Sequence, residues 1–238
     1  MTYTYDNVNR ISTATNMGFT WDDGPDDWAY RYDPEDRLLT AGDTSYSWDP
    51  NGNMVGRYDG VDAWNYTYDP GNRLTAVLKE GVAQGRFWYD ADGRRVRLWD
   101  VVDGFTDHVY SGLYVVYEEN ATIFTKHFYA NGLHFAENRS GTVEFFHQDH
   151  LGSTRLKTNS TCGVVYDTNH VPFGPDQGEA GSEEFKYTGK QEDATGLYYY
   201  WARYYDPETG RFITEDLVKG ILEDQQNLKR YVYCYYNP

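Results

Sequence analysis

Apolar and polar residues alternate along most of this chain. Segments such as Trp64-Asn-Tyr-Thr-Tyr and Arg86-Phe-Trp-Tyr set aromatic rings on every second position, the period of one face of a β-strand, and so predict strands with an aromatic face. The strands are punctuated by a phrase: an aromatic residue, Asp, usually a turn residue, then Arg or Asn and an apolar residue. The copies are Tyr5-Asp6 with Arg10-Ile11, Tyr32-Asp33-Pro34 with Arg37-Leu38, Trp48-Asp49-Pro50 with Asn53-Met54, Tyr68-Asp69-Pro70 with Arg73-Leu74, and Tyr89-Asp90 with Arg94-Arg95-Val96. They recur every 16 to 27 residues. In an Asp-Pro-x-Gly or Asp-x-x-Asn turn, Asp bonds the backbone that follows it, Pro presets φ, and Gly or Asn takes the positive φ. The Arg that opens the return strand can lie across the aromatic ring of its own or the next repeat, a contact of roughly 0.5–2 kcal/mol. Each unit reads as a β-hairpin. A lone hairpin is marginal, so the units must stack on one continuous core.

From Val101 to Phe146 the phrase fades while the β character persists. Val109–Tyr117, Thr122–Tyr129 and Thr142–His147 are β-branched and aromatic runs separated by Asn-Gly and Ser-Gly turns. Phe173 to Glu184 is acidic and rich in Gly and Pro, and predicts a loop. Leu197 to Pro207 carries aromatics on both faces, which predicts a strand covered on both sides. One helix is expected over Glu215–Leu228, with Thr214 as N-cap and Gly220 weakening it.

Composition changes this picture in one respect. Leu, Ile, Val and Phe supply only 45 of 238 residues, and with a formal charge of −16 the chain falls in the disordered class by the compositional rule. That rule omits Tyr and Trp, of which there are 24 and 7, each able to bury roughly 150–250 Å² while keeping a polar tip near water. Such side chains suit a thin wall. The 37 acidic against 21 basic residues argue against nucleic acid and against anionic membrane surfaces as partners. No segment reaches the roughly 18 apolar residues of a membrane span.

Candidate chemistry is sparse. Cys162 and Cys234 can pair in an oxidising compartment or stand as two partly buried free thiols. Asn65, Asn120, Asn138 and Asn159 head glycosylation sequons, which points to an exported, extracellular or cell-surface location. His147, Asp149 and His150 are close in sequence, but on a strand His150 faces away from the other two, so structural hydrogen bonding is expected. Asp22 to Asp27 lacks the ligand spacing of a calcium loop and reads as a solvated turn. There is no phosphate loop, dinucleotide fingerprint, nucleophile elbow or zincin helix, so neither catalytic residues, metal nor cofactor are expected.

Three stretches together carry a resemblance. The Tyr-Asp phrase, His147 to Leu156, and the run from Gly196 through Asp216 resemble the Rhs/YD-repeat proteins and their C-terminal core segment. Within that core the matching residues are Gly196, Leu197, Tyr198, Tyr199, Arg203, Tyr204, Tyr205, Asp206, Gly210, Arg211 and Phe212. The resemblance implies an all-β fold of stacked hairpins forming a curved, spiralling sheet, part of a hollow shell. Residues 1–146 would be the repeat sheet, and 147–238 the core-associated region continuous with it. It implies a non-enzymatic shell fragment that encapsulates or presents a C-terminal effector, as in polymorphic toxins and insecticidal toxin complexes. Partners would be the rest of a longer exported chain or that effector, with self-association through sheet edges. An alternative, suggested by the related teneurins, is a surface adhesion module that binds glycan or protein through exposed aromatics. In many family members two Asp-Pro-x-Gly boxes supply an aspartyl dyad that frees the effector. Here Asp216 matches the first box but Leu217 replaces its Pro, and the second box would follow Asn237-Pro238. Half an autoprotease dyad is the second alternative, with a turn or capping carboxylate favoured for Asp216.

Overall fold

A computed structural model describes residues 2–5, 10–15, 27–217 and 229–234. Eighteen strands form one long sheet. They are β1 (Thr2–Tyr5), β2 (Ile11–Thr15), β3 (Asp27–Tyr32), β4 (Leu38–Ala41), β5 (Thr44–Trp48), β6 (Met54–Tyr58), β7 (Ala63–Tyr68), β8 (Leu74–Lys79), β9 (Val82–Tyr89), β10 (Arg95–Asp100), β11 (Gly104–Ser111), β12 (Tyr114–Glu119), β13 (Phe124–Ala130), β14 (Leu133–Arg139), β15 (Thr142–Gln148), β16 (Thr154–Asn159), β17 (Val164–His170) and β18 (Asp176–Ala180). Each pairs antiparallel with the next in sequence. The all-β expectation is borne out. Asp6 and Asp22 to Asp26 lie outside the described residues, as does the expected helix from residue 218 onward; Glu215 to Leu217 are not helical.

The phrase explains the strand ends. Its aromatic residue pairs across the hairpin with its apolar residue: Tyr5 with Ile11, Tyr32 with Leu38, Trp48 with Met54, Tyr68 with Leu74. From Tyr32 on, the five residues between close a turn in which the Asp amide bonds the carbonyl four residues on, as from Asp69 N to Arg73 O at 3.0 Å. The residue three after Asp takes a left-handed conformation, φ +66° at Asp36, +80° at Gly52, +60° at Asn72 and +83° at Gly93. This is why Gly or Asn recurs there.

Four short strands form a second sheet: β19 (Gln191–Glu192), β20 (Tyr198–Tyr200), β21 (Arg203–Asp206) and β22 (Arg211–Phe212). The aromatic run is therefore a hairpin, turned at Trp201-Ala202 with Trp201 at φ +56°, and not the single strand its length suggested. Both its faces are covered. Tyr199 and Tyr204 join Leu38, Met54, Tyr66, Leu74, Val77, Phe87 and Leu98 of the long sheet in the main core, while Tyr198 and Tyr205 pack with Tyr187 and Phe212 on the other side. The acidic Gly/Pro stretch is not wholly loop either. Asp176–Ala180 pairs with β17, since backbone pairing outweighs the low strand propensity of Gly and Asp. Residues 146 and 147 both lie within β15, and the change from long sheet to short sheet falls between Ala180 and Gln191.

The long sheet must curve. Laid flat, eighteen strands would span roughly 80 Å. Yet the small sheet reaches both ends of it: Arg211 Nη2 lies 3.0 Å from Asp36 Oδ2 before β4, and Tyr205 Oη donates to Phe173 O after β17 at 2.7 Å. Ile11 of β2 and Phe173 share one apolar cluster. The sheet is rolled around the C-terminal segment.

Candidate functional site

Successive repeats are latched by their aromatic residues. Tyr32 Oη donates to Ile11 O (3.0 Å), Trp48 Nε1 to Leu38 O (2.7 Å), Tyr68 Oη to Met54 O (2.8 Å) and Tyr89 Oη to Leu74 O (2.6 Å). The acceptor is each time the carbonyl of the apolar residue in the preceding copy. Tyr110 Oη continues the series to Arg95 O at 2.8 Å, although Ser111 replaces the Asp after it. The Asp of each of the four later copies binds within its own turn. Asp33, Asp49, Asp69 and Asp90 accept backbone amides on Oδ1, and Oδ2 pairs with Arg37, Asn53, Arg73 and Arg94. Arg10 and Arg73 then lie 4.6 and 5.2 Å over Tyr32 and Tyr89, the ring of the following repeat. Burial would raise the Asp69 carboxyl, but the Arg73 hydrogen bond and turn amides outweigh it and hold it below the usual carboxylate value.

The fifth copy departs from the pattern where it matters most. Arg95, not Val96, takes the inward position held by Leu38, Met54 and Leu74, and it is wholly buried. Its Nη1 binds Asp193 Oδ2 at 2.5 Å and Tyr204 Oη at 3.0 Å, its Nη2 binds Gln191 Oε1 at 2.6 Å, and its guanidinium lies 4.4 Å from the Tyr199 ring centre. Burial raises the Asp193 carboxyl, with Arg95 opposing that rise. This residue escaped the reading of the sequence; the doubled Arg94-Arg95 was its signal. The other core-motif residues serve the same junction. Arg203 stacks 3.7 Å over Phe212, Asp206 caps its own turn through Glu208 N and Thr209 Oγ1, and Leu197 fills the main core beside Gly196 at φ +77°.

Past β11 the inner face turns polar. His108 and Glu118 are cross-strand partners, as are His127 and Glu137. His127 Nε2 lies 2.9 Å from Glu118 Oε1, and His127 Nδ1 lies 3.2 Å from His134 Nε2 and 3.7 Å from Glu137 Oε2. Lys157 Nζ contacts Glu137 at 2.7 Å, Glu144 at 2.7 Å and Glu183 at 2.6 Å. Burial would raise Glu118, but hydrogen bonds from His108 and His127 hold it well below the usual range. Burial and the Glu118 charge push Glu184 up to about 8. Burial, then His127 and Lys157, push His134 well below its ordinary value. No metal was expected from the sequence, yet His127, His134 and Glu137 bring ligand atoms within 4.8 Å of one another. Pairing across β13 and β14, invisible in sequence spacing, assembles them. Beside the cluster a cavity of about 300 Å³ is lined by Tyr110, Tyr114, Tyr129, His134, Lys190 and Trp201, among others.

The remaining candidates do not converge. His147 is exposed and bonds Thr158 Oγ1 at 2.9 Å, and His150 is exposed. Asp149 is no strand residue: its Oδ1 accepts Leu151 N and Ser153 N, the same turn as in the repeats. Asn159 builds that turn again with Thr161 N and Gly163 N, while Asn120 and Asn138 accept turn amides and Asn65 is exposed on β7. Cys162 and Cys234 are free, exposed thiols and not partly buried, because both sit in turns, at φ +62° and +44°. Asp216 Oδ2 pairs with Arg203 Nη2 at 3.0 Å. Among the described residues no helix is long and apolar enough to cross a membrane.

An open antiparallel sheet of latched Tyr-Asp hairpins, rolled around its own C-terminal segment, defines a β-shell wall. The chain belongs to the Teneurin YD-shell family, whose pattern matches residues 1–237. It is 32% identical over 179 residues to the tRNA3(Ser)-specific nuclease WapA of Bacillus spizizenii, covering 69% of this chain and 8% of that protein. It is 34% identical over 97 residues to toxin subunit YenC1 of Yersinia entomophaga, covering 38% of this chain and 10% of that one. Its fold matches a crystal structure of TcdB2-TccC3 with TM-score 0.56 at 18% identity, over 99% of this chain and 17% of that one. The chain thus spans a tenth or less of the length of these curated relatives.

Proposed function

We propose that this chain is a non-enzymatic wall segment of an exported shell, in which the core motif plugs the curve of the sheet and helps enclose a C-terminal effector. The observation that carries this reading is the inward docking of residues 191–213, tied by Arg95 to Asp193 and by Arg211 to Asp36. Residues 1–146 act as repeat wall, and 147–238 carry that wall on through β18 before closing it from Gln191. Limited proteolysis of the natural protein that contains this chain tests the reading. The segment after the core motif should resist digestion until the wall is opened by Arg211→Ala. Equal digestion rates in the two proteins would defeat enclosure. The aromatic cavity favours a second reading, glycan binding. Tryptophan fluorescence unchanged on titration with an oligosaccharide panel would remove it.

A further inference from the structure

We propose that His127 Nδ1, His134 Nε2 and Glu137 Oε2 bind one divalent transition-metal ion of the zinc class on the inner wall, with water from the adjoining cavity as fourth ligand. Tetrahedral zinc with bonds near 2.0–2.1 Å places its ligand atoms about 3.3 Å apart. The separations of 3.2 Å between the two imidazole nitrogens and 3.7 Å from His127 to Glu137 already approach that edge. The donor set is buried, and Glu137 Oε2 accepts no hydrogen bond. Two of the three ligands have the outer partners a metal site needs. Glu118 accepts the Nε2 proton of His127, which leaves the Nδ1 lone pair facing inward, and Lys157 holds the other Glu137 oxygen. Charge points the same way. Glu118, Glu137, Glu144 and Glu183 lie around Lys157 and Arg139, four carboxylates against two fixed cations, a surplus that a dication would balance. The cavity reaches the cluster at His134, which is one of its lining residues.

Co2+ is the probe. Titrated into the metal-free protein, it should bind at one equivalent per chain with the visible absorption of a tetrahedral N/O site, and Zn2+ should bleach that absorption. His134→Gln and Glu137→Gln should abolish it, whereas Glu118→Leu, which removes the acceptor for His127 Nε2, should weaken binding about 10–100-fold by freeing the His127 ring. His147→Gln, at an exposed histidine, should leave it unchanged. Should a variant fail to fold, anomalous scattering at the cobalt edge from crystals of the unaltered protein decides. A peak between His127, His134 and Glu137 supports the site. A peak elsewhere, or no binding at one equivalent, overturns it.

Discussion

Replacing Arg95 by Met restores the apolar residue that the other repeats carry at this inward position, yet it should destabilise the chain. The guanidinium has no exposed surface and Asp193 is 2% exposed, so the substitution strands a buried carboxylate. Removing one partner of a buried pair costs about 3–5 kcal/mol. Tyr204 Oη and Gln191 Oε1 also lose a charged donor. Asp193→Leu alone strands the cation and should cost a similar amount. The double variant leaves neither charge and should recover to within about 1–2 kcal/mol of the unaltered chain, a coupling energy of several kcal/mol. Urea unfolding followed by tryptophan fluorescence reads all four corners of the cycle. The pH dependence is a second signature. Burial without Arg95 raises the folded pKa of Asp193 further, so the stranded carboxylate's share of the Arg95→Met penalty is full above that value, shrinks as pH falls through it, and vanishes below the unfolded value near 3.9. A single variant that loses less than about 1 kcal/mol, or a double variant no better than the sum of the singles, would refute the claim that this pair ties the plug to the wall.

Asp69→Asn keeps the Oδ1 acceptor for the turn amides but loses the charge on Arg73, and should cost about 1 kcal/mol by chemical denaturation at pH 7. Because the folded pKa of Asp69 is depressed, its contribution is present above about pH 4 and lost as pH falls through the folded value, so the two midpoints should converge in acid. Gly210→Ala places a Cβ 3.0 Å from the Phe173 ring at φ +67° and should cost about 1–3 kcal/mol; an unchanged midpoint would mean that the plug is not seated against the β17–β18 turn. Cys162→Gly relieves a left-handed residue at the position that Gly52 and Gly93 occupy in their turns, and should gain about 1 kcal/mol. In the folded chain before substitution, a thiol reagent should titrate both Cys162 and Cys234, and finding neither would contradict their exposure.

The repeats were legible because each copy states its own geometry. Asp, Pro and Gly act within five residues, and alternation names the inward face. The three later turns at Asp149, Asn159 and Val171 obey the same six-residue pairing, Gln148 with Thr154, Thr158 with Val164 and His170 with Asp176, but lack the leading aromatic, so the phrase does not find them. The aromatic hairpin was misread as one strand because both of its faces are buried and alternation vanishes. The histidine cluster had no sequence signal at all. His127 and His134 meet across a hairpin, and Glu118 and Lys157 arrive from strands on either side, so only the register of the sheet brings them together.

One change of material runs through the wall. Up to β10 the inward residues are Leu, Met, Val, Phe and Tyr, and the plug answers them with Leu197, Tyr199, Tyr204 and Ile213. From β11 on, His108, Glu118, His127, Glu137 and Lys157 join Val115 and Phe146 on the inner face, and the covering segment answers with Glu183, Glu184, Phe185 and Gln191. Arg95 sits at the seam, on the first strand after the last Tyr-Asp phrase, and reaches polar partners in the plug. An apolar wall can be covered in many registers, because dispersion contacts are non-directional. A charged wall cannot, because each group left unmatched costs several kcal/mol. The apolar half therefore supplies adhesion and the polar half supplies register, which is why the plug docks one way along an eighteen-stranded sheet.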